Sequence, residues 1–448
     1  MTENLKKLLA FVDDAKDEIL AAERWIWAHP ETGYKEWQTT QYLEKKYEAL
    51  GYVLHKAGDI PGFYTDVDTG RPGPTFLIFG EMDSVVCDAH PESNSETGAV
   101  HACGHNAQSA ALYGIAAALA RPGATDGMCG KIRLCAVPAE ELIEIGYREG
   151  LRKKGVIHYF GGKVEYLYRG YFDDVDMCML VHTSCGESGT VFVCGSENGC
   201  VAKVSTFVGR SAHAGGAPHE GINSLYAANI GIQAANALRE TFCEKDHIRF
   251  HPIITRGGDA VNVIPPVTTV ESYVRGATPE AIVRENKKIN RALASGALAL
   301  GGNMIYCDRP GYFPHYVYPE LCDVMETALH EGGIPATFSK EHNSACSDMG
   351  DMSYVMPAVE LNMAGAKGTP HGADYRIVDP VSACVTSAKA QLMIAYELLR
   401  DGAKNAQKVL DGTKPGYASK KEFLAVLDSL FADGEAIEYN EKGAEIRF

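Results

Sequence analysis

The order of apolar runs in this 448-residue chain predicts two α/β layers of different character, one inserted into the other. Strands alternating with helices between residues 75 and 181 argue for a layer whose strand ends carry the polar residues. Between about Gly199 and Gly311 the order becomes strand, helix, strand, strand, helix, strand, the split βαβ or ferredoxin-like arrangement. The α/β pattern then resumes. The first domain is therefore expected to be discontinuous, residues 1–198 with 312–448, around an α+β insert at 199–311.

The chain opens with apolar residues at Leu5, Leu8, Leu9, Val12, Ala15, Ile19, Ala22 and Ile26, a three-to-four period that predicts one amphipathic helix running into Trp27. His29-Pro30 ends it. Thr75–Phe79, bounded by Pro-Gly-Pro before and Gly80-Glu81 after, reads as a buried strand with Asp83 at its exit. Gln108–Leu119 is rich in Ala and Leu and helical by propensity, while Lys131–Val137 and Met177–Val181 are strands. The insert reads as strand Val201–Val208, helix Gly221–Glu240, strands Ile248–Arg256 and Val267–Arg275, helix Pro279–Ala299 and strand Asn303–Asp308. A helix near Pro319–Glu331, an apolar run at Val359–Ala364, a long helix from Ser382 to Leu399 and a helix at Lys420–Phe431 complete the order.

Hydrophobic residues make up 46% and charged residues 22%, which fits a packed core rather than disorder. Lys and Arg total 42 against 58 Asp and Glu, a formal charge of −16. A surface of that sign repels phosphate backbones and anionic lipid, so neither nucleic acid nor membrane is an expected partner, and a small molecule is. The acidic opening residues lack the apolar stretch of a signal peptide, and no later run approaches the roughly 20 apolar residues of a spanning helix, so the expected location is the cytoplasm. Thirteen cysteines, an odd number with no Cys-x-x-Cys pair, argue against both a disulfide framework and a zinc ribbon.

Four short stretches concentrate potential metal ligands. In His101-Ala-Cys103-Gly-His105-Asn106, a thiol and an imidazole two residues apart can both bind a zinc-type ion, with Gly104 letting the backbone bend between them. Alone, the stretch fits a buried cysteine beside capping histidines equally well. Pro138-Ala-Glu140-Glu141 follows a strand directly, so one carboxylate can ligate while its neighbour moves a proton; a solvated pair opening a helix is the other reading. His182 ends another strand, and His371 stands in the loop Thr369-Pro-His371-Gly-Ala-Asp374. Together Cys103, His105, Glu141, His182 and His371 exceed one closed tetrahedral site, which points to two ions sharing a bridging ligand.

In these stretches the chain resembles the M20 metallopeptidase and amidohydrolase family, above all its N-acyl-amino-acid and aminobenzoyl-glutamate hydrolase branch. The likeness also runs through His29-Pro-Glu31 with Glu36, Glu81-Met-Asp83, Gly209-Arg-Ser-Ala-His213-Ala, Gly221-Ile-Asn, Asn262-Val-Ile-Pro265 and Gly368-Thr-Pro-His371. The resemblance implies a mixed catalytic sheet flanked by helices, and an insert that serves as lid and dimerisation domain. It implies two divalent ions, zinc first and manganese or cobalt as alternatives, shared by Cys103 and completed by His105, Glu141, His182 and His371. Glu140 becomes the general base and acid, Asp83 a carboxylate behind the ligands, and His213 the oxyanion donor, often supplied by the partner subunit of a homodimer or larger assembly. Asn262 and Arg275 would contact substrate. The implied reaction is hydrolysis of a small N-acyl or N-aroyl amino acid by water activated between the ions. A dipeptidase, an aromatic-amine aminohydrolase and a silent ligand-binding homologue are the alternatives.

Two departures stand out. Asn106 and Gln108 replace the commoner Asp and His, which argues against the specificity of the indole-auxin-conjugate hydrolases. The stretch Glu144–Asp176 holds five tyrosines where relatives have a shorter Gly-rich loop, and reads either as an aromatic pocket wall or as a surface excursion.

Overall fold

Four strands buried on both faces set the first sheet. Thr75–Glu81 is buried at every residue, and Lys131–Val137, Met177–Cys185 and Ala358–Lys367 at most of theirs, so helices must cover both sides. The computed structural model, which describes residues 1–193 and 195–448, pairs these strands in parallel. Their order is Lys131–Val137, Thr75–Glu81, Met177–Cys185, Ala358–Lys367. Antiparallel Phe63–Asp68 extends the first edge, and Val191–Val193 runs antiparallel beside Ala358–Lys367, which makes the sheet mixed. Helix His105–Leu119, Ala-rich and buried almost throughout, packs between Lys16–Trp27 and the sheet. That burial holds its N-terminal residues, including His105, at the strand ends.

The N-terminal period is split at Ala15 into helices Glu3–Asp14 and Lys16–Trp27. Asp17 and Glu18 stabilise a new helix N-terminus there, where the macrodipole favours acids. The tyrosine-rich stretch folds into helices Ile145–Lys153 and Gly162–Tyr168. Tyr159 and Tyr166 are buried, and the Tyr166 hydroxyl donates to the Pro61 carbonyl at 2.8 Å, whereas Tyr147 and Tyr168 are exposed. The stretch is thus partly core, which its polar composition conceals.

The chain divides into two units, the first comprising Met1–Ser196, Tyr316–Glu341 and Asp351–Ala418 and the second Glu197–His315, His342–Gly350 and Ser419–Phe448. In the second, antiparallel strands lie in the order Arg249–Arg256, Val267–Gly276, Gly199–Val208, Asn303–Pro310, the ferredoxin-like order. Helices Ser224–Asn236 and Pro279–Ala299 bury Ile289, Leu293 and Ala228 against Phe207, Phe250, Val270 and Val274. The sequence pattern leaves the tail with the first domain. In the structure Ala432–Glu435 pairs with Asn303–Pro310 as a fifth strand, because the open edge of that strand offers backbone partners. No helix is long and apolar enough to cross a membrane. No disulfide joins the described cysteines, and Cys194 lies outside the described residues.

Candidate metal centre and active site

Strand ends deliver most of the site. Met177–Cys185 carries His182, Thr75–Glu81 ends at Glu81 with Asp83 just beyond, and Lys131–Val137 leads into Glu140 and Glu141. Cys103 and His105 flank Gly104, which adopts φ 86°. A Cβ at Gly104 would lie 2.8 Å from Thr183 Cβ and 2.5 Å from the Tyr375 hydroxyl, so only glycine brings both ligands round the turn. The His371 N–H donates to the Ala102 carbonyl at 2.8 Å and ties the distant loop to this turn. Ala139 and His371 hold φ of 58° and 62°, conformations that cost a side-chain-bearing residue about 1–2 kcal/mol each.

The donor atoms converge in two sets, each within 4.8 Å: Cys103, His105 and His182, and Cys103, Glu141 and His371. Cys103 belongs to both. Its Sγ lies 3.3 Å from His182 Nε2, and Glu141 Oε1 lies 3.0 Å from His371 Nε2. A further convergence of Glu81, His105 and Glu140 shares His105 with the first set, with His105 Nε2 3.3 Å from Glu81 Oε2 and 4.0 Å from Glu140 Oε2. Asp83 supports both sets. Its Oδ1 faces His105 Nδ1 at 3.1 Å, leaving Nε2 as the ligating nitrogen, and its Oδ2 accepts the Glu141 N–H at 2.8 Å.

The electrostatics call for cations. Burial pushes the Cys103 thiol well up, and Glu141, Glu140 and Glu81 push it further. Burial opposes charge on His105, yet Glu81 and Asp83 outweigh it and hold the imidazole at about 10. Burial and the neighbouring His105 lower His182 to about 4. Glu141 is lowered to about 2, because His371, His105 and Cys103 outweigh its burial. The buried atoms His105 Nε2 and Glu141 Oε1 make no hydrogen bond although donors and acceptors stand nearby. A thiol, three imidazoles and a carboxylate that converge with such buried atoms left over fit a pair of zinc-type ions.

The two-residue period that puts alternate side chains on one face is the signal that identifies Glu81 beside Asp83. Its Oε1 receives the ammonium of fully buried Lys163 at 2.5 Å, a partner 82 residues away that no local pattern reveals. Asn106 donates to Glu23 Oε1 at 2.7 Å, both buried, which explains amide rather than carboxyl at this position. Asn106→Asp would press two carboxylates together and is expected to lower stability by about 2–3 kcal/mol, more than Asn106→Ala. Thermal or denaturant unfolding of the two variants checks this, and an equal or milder loss for the Asp variant would refute the repulsion.

The other assigned residues belong to the second unit. Nδ1 of exposed His213 accepts the N–H groups of Gly215 and Gly216 at 3.2 and 2.9 Å, so its proton resides on Nε2. Exposed Asn262 accepts the Ala214 N–H through its backbone carbonyl at 2.9 Å. Arg275 pairs with Cys200 in the ladder, its guanidinium 5.8 Å from the Tyr273 ring.

A fold of this class, with metal donors gathered at strand ends and a ferredoxin-like insert, is that of metal-dependent hydrolases. The model of the peptidase dimerisation domain of the M20 family matches residues 196–299. A mouse Xaa-Arg dipeptidase is 26% identical over 93% of both chains. One polypeptide of the two-component Escherichia coli p-aminobenzoyl-glutamate hydrolase is 25% identical over 75% of this chain and 68% of that protein. The crystal structure of a Bacillus subtilis dinuclear metal-binding peptidase of the M20 family superposes with a TM-score of 0.62 at 18% identity, covering 87% of this chain and 99% of that one. The chain belongs to the M20 family of peptidases and amidohydrolases, hydrolases of amide and peptide bonds.

Proposed function

We propose that the first unit holds two divalent ions on Cys103, His105, Glu141, His182 and His371 and hydrolyses the amide bond of a small N-acyl or N-aroyl amino acid of the aminobenzoyl-glutamate kind. The observation that carries this reading is the sharing of Cys103 between two convergent donor sets. Ions bound there would polarise the amide carbonyl and acidify water; thiolate with imidazole favours zinc, and the carboxylate-containing set also suits manganese or cobalt. Glu140 lies outside both sets that contain Cys103. It takes the proton of the attacking water and passes it to the leaving amine nitrogen. His213, its Nδ1 already occupied by two N–H donors, offers Nε2–H to the oxyanion, an effect on the order of 3 kcal/mol. Asn262 and Arg275 are the proposed substrate contacts, Arg275 toward a carboxylate; its partly buried Nε, without a hydrogen-bond partner, supports that role.

A dipeptidase is the second reading, favoured by the near-full-length likeness to the mouse Xaa-Arg dipeptidase. The test is release of amino acid from p-aminobenzoyl-glutamate, N-acetyl and N-benzoyl amino acids and dipeptides, by protein reconstituted with Zn²⁺, Mn²⁺ or Co²⁺, with and without chelator. Faster chelator-sensitive cleavage of the acyl and aroyl substrates is expected. Preference for dipeptides would move the assignment to the second reading, and no chelator-sensitive cleavage would overturn both.

We also infer a homodimer through the second unit. Its edge strand Arg249–Arg256 exposes Ile253 at 63% and Ile254 at 43%, and helix Ser224–Asn236 exposes Tyr226 at 62%. An open strand with apolar side chains pairs readily with a second copy of itself. Sedimentation is expected to show a dimer that Ile253→Asp shifts toward monomer; a wild-type monomer at micromolar concentration would refute it.

A further inference from the structure

Glu140 stands in the middle of a short main-chain stretch held on both sides. The Ala139 N–H donates to Glu36 Oε1 at 2.8 Å and the Glu141 N–H to Asp83 Oδ2 at 2.8 Å. One side chain takes the two carbonyls that flank Glu140. Arg148 donates from Nη1 to the Ala139 carbonyl at 3.3 Å and from Nη2 to the Glu141 carbonyl, while Nη1 also reaches the Phe160 carbonyl at 2.6 Å. The guanidinium belongs to helix Ile145–Lys153, at the start of the tyrosine-rich stretch.

Arg148 is 1% exposed, and among the described residues no carboxylate forms an ion pair with it. Its Nε is buried without a hydrogen-bond partner. Desolvating a guanidinium to bind only backbone carbonyls is a poor way to stabilise a fold, because an apolar side chain of similar volume would fill the space at less cost. An apolar group could not grip two carbonyls at a set spacing. The planar fork of arginine can, and lysine's single ammonium cannot. Gly33 leaves the room: a Cβ there would collide with Nη2 and lie 3.0 Å from Ala139 Cα.

We propose that Arg148 is a positioning residue for the hydrolysis, bridging the carbonyls on either side of Glu140 and so fixing the direction in which its carboxylate leaves the main chain. This rests on the reading of Glu140 as the base. Displacing a reacting group by about 1 Å costs on the order of 10²-fold in rate. The experiment compares Arg148→Ala, Arg148→Lys, Glu140→Gln and the Arg148→Ala/Glu140→Gln double variant, each loaded with Co²⁺ and assayed on the best substrate of the panel. Arg148→Ala is expected to lower kcat about 10²-fold with KM nearly unchanged, and to keep the wild-type Co²⁺ stoichiometry and visible spectrum. Millimolar guanidinium chloride should restore much of its activity and none to wild type, and Arg148→Ala should cost nothing further in the Glu140→Gln background. Loss of Co²⁺, a rise in KM with kcat intact, no rescue, or a fully additive double variant would each overturn the proposal. If Arg148→Ala does not fold, Arg148→Lys decides: a folded Lys variant with reduced kcat supports it, and one with wild-type kcat sinks it. Retained activity in Glu140→Gln would instead refute the base assignment.

Discussion

Glu140→Gln is expected to lower kcat by about 10³-fold or more while metal content stays at the wild-type level. The side chain follows strand Lys131–Val137 by three residues and is largely buried, so solvent water does not compete with it for the proton. Its Oε2 stands 4.0 Å from His105 Nε2, close enough to serve a water at the metal donors, yet Glu140 is absent from both sets that include Cys103. The Gln variant keeps shape and hydrogen-bonding capacity and removes only the ability to accept and return a proton. The competing role is visible in the third convergence, Glu81, His105 and Glu140, in which Glu140 would be a ligand. Elemental analysis separates the two: a ligand variant loses metal together with activity, a base variant loses activity alone. Turnover within tenfold of wild type would remove Glu140 from the mechanism altogether.

Much of this was legible in the sequence because local spacing carried it. The apolar runs at Thr75–Phe79, Lys131–Val137 and Met177–Val181 placed strand ends beside Asp83, Glu140 and His182, and the fold then brought those ends together. The insert was readable because its strands alternate, as the burial of Val267–Gly276 does residue by residue. What escaped was whatever depends on a partner far along the chain. Ala432–Glu435 has no strand propensity of its own and becomes a strand only by pairing with Asn303–Pro310. Lys163 and Arg148 lie in a stretch whose polar composition argues for a surface, and both are buried because Glu81 in one case and the Ala139 and Glu141 carbonyls in the other receive them. Buried cations of this kind are fixed by tertiary contacts alone.

Cys103→Ser is expected to empty both halves of the centre at once. Because Sγ is the one donor common to the two sets, its loss leaves each with two of its three donors. Stoichiometry should fall from roughly two ions per chain to below one, with an affinity loss exceeding the 10–100-fold typical of removing an outer partner such as Asp83. Proton release gives an independent readout. In the metal-free chain, burial and the surrounding carboxylates hold the Cys103 thiol well above its ordinary range, and Glu81 and Asp83 hold His105 at about 10 despite burial. Both values are raised, so both groups carry their proton at neutral pH and lose it only as pH climbs through the raised value. Metal must displace these protons to bind, so uptake releases them and weakens as pH falls. Calorimetric titration of Zn²⁺ in buffers of different ionisation enthalpy counts them, and Cys103→Ser should release about one fewer. Unchanged stoichiometry together with unchanged proton release would show that Cys103 is a buried thiol beside the site and not the ligand that joins its halves.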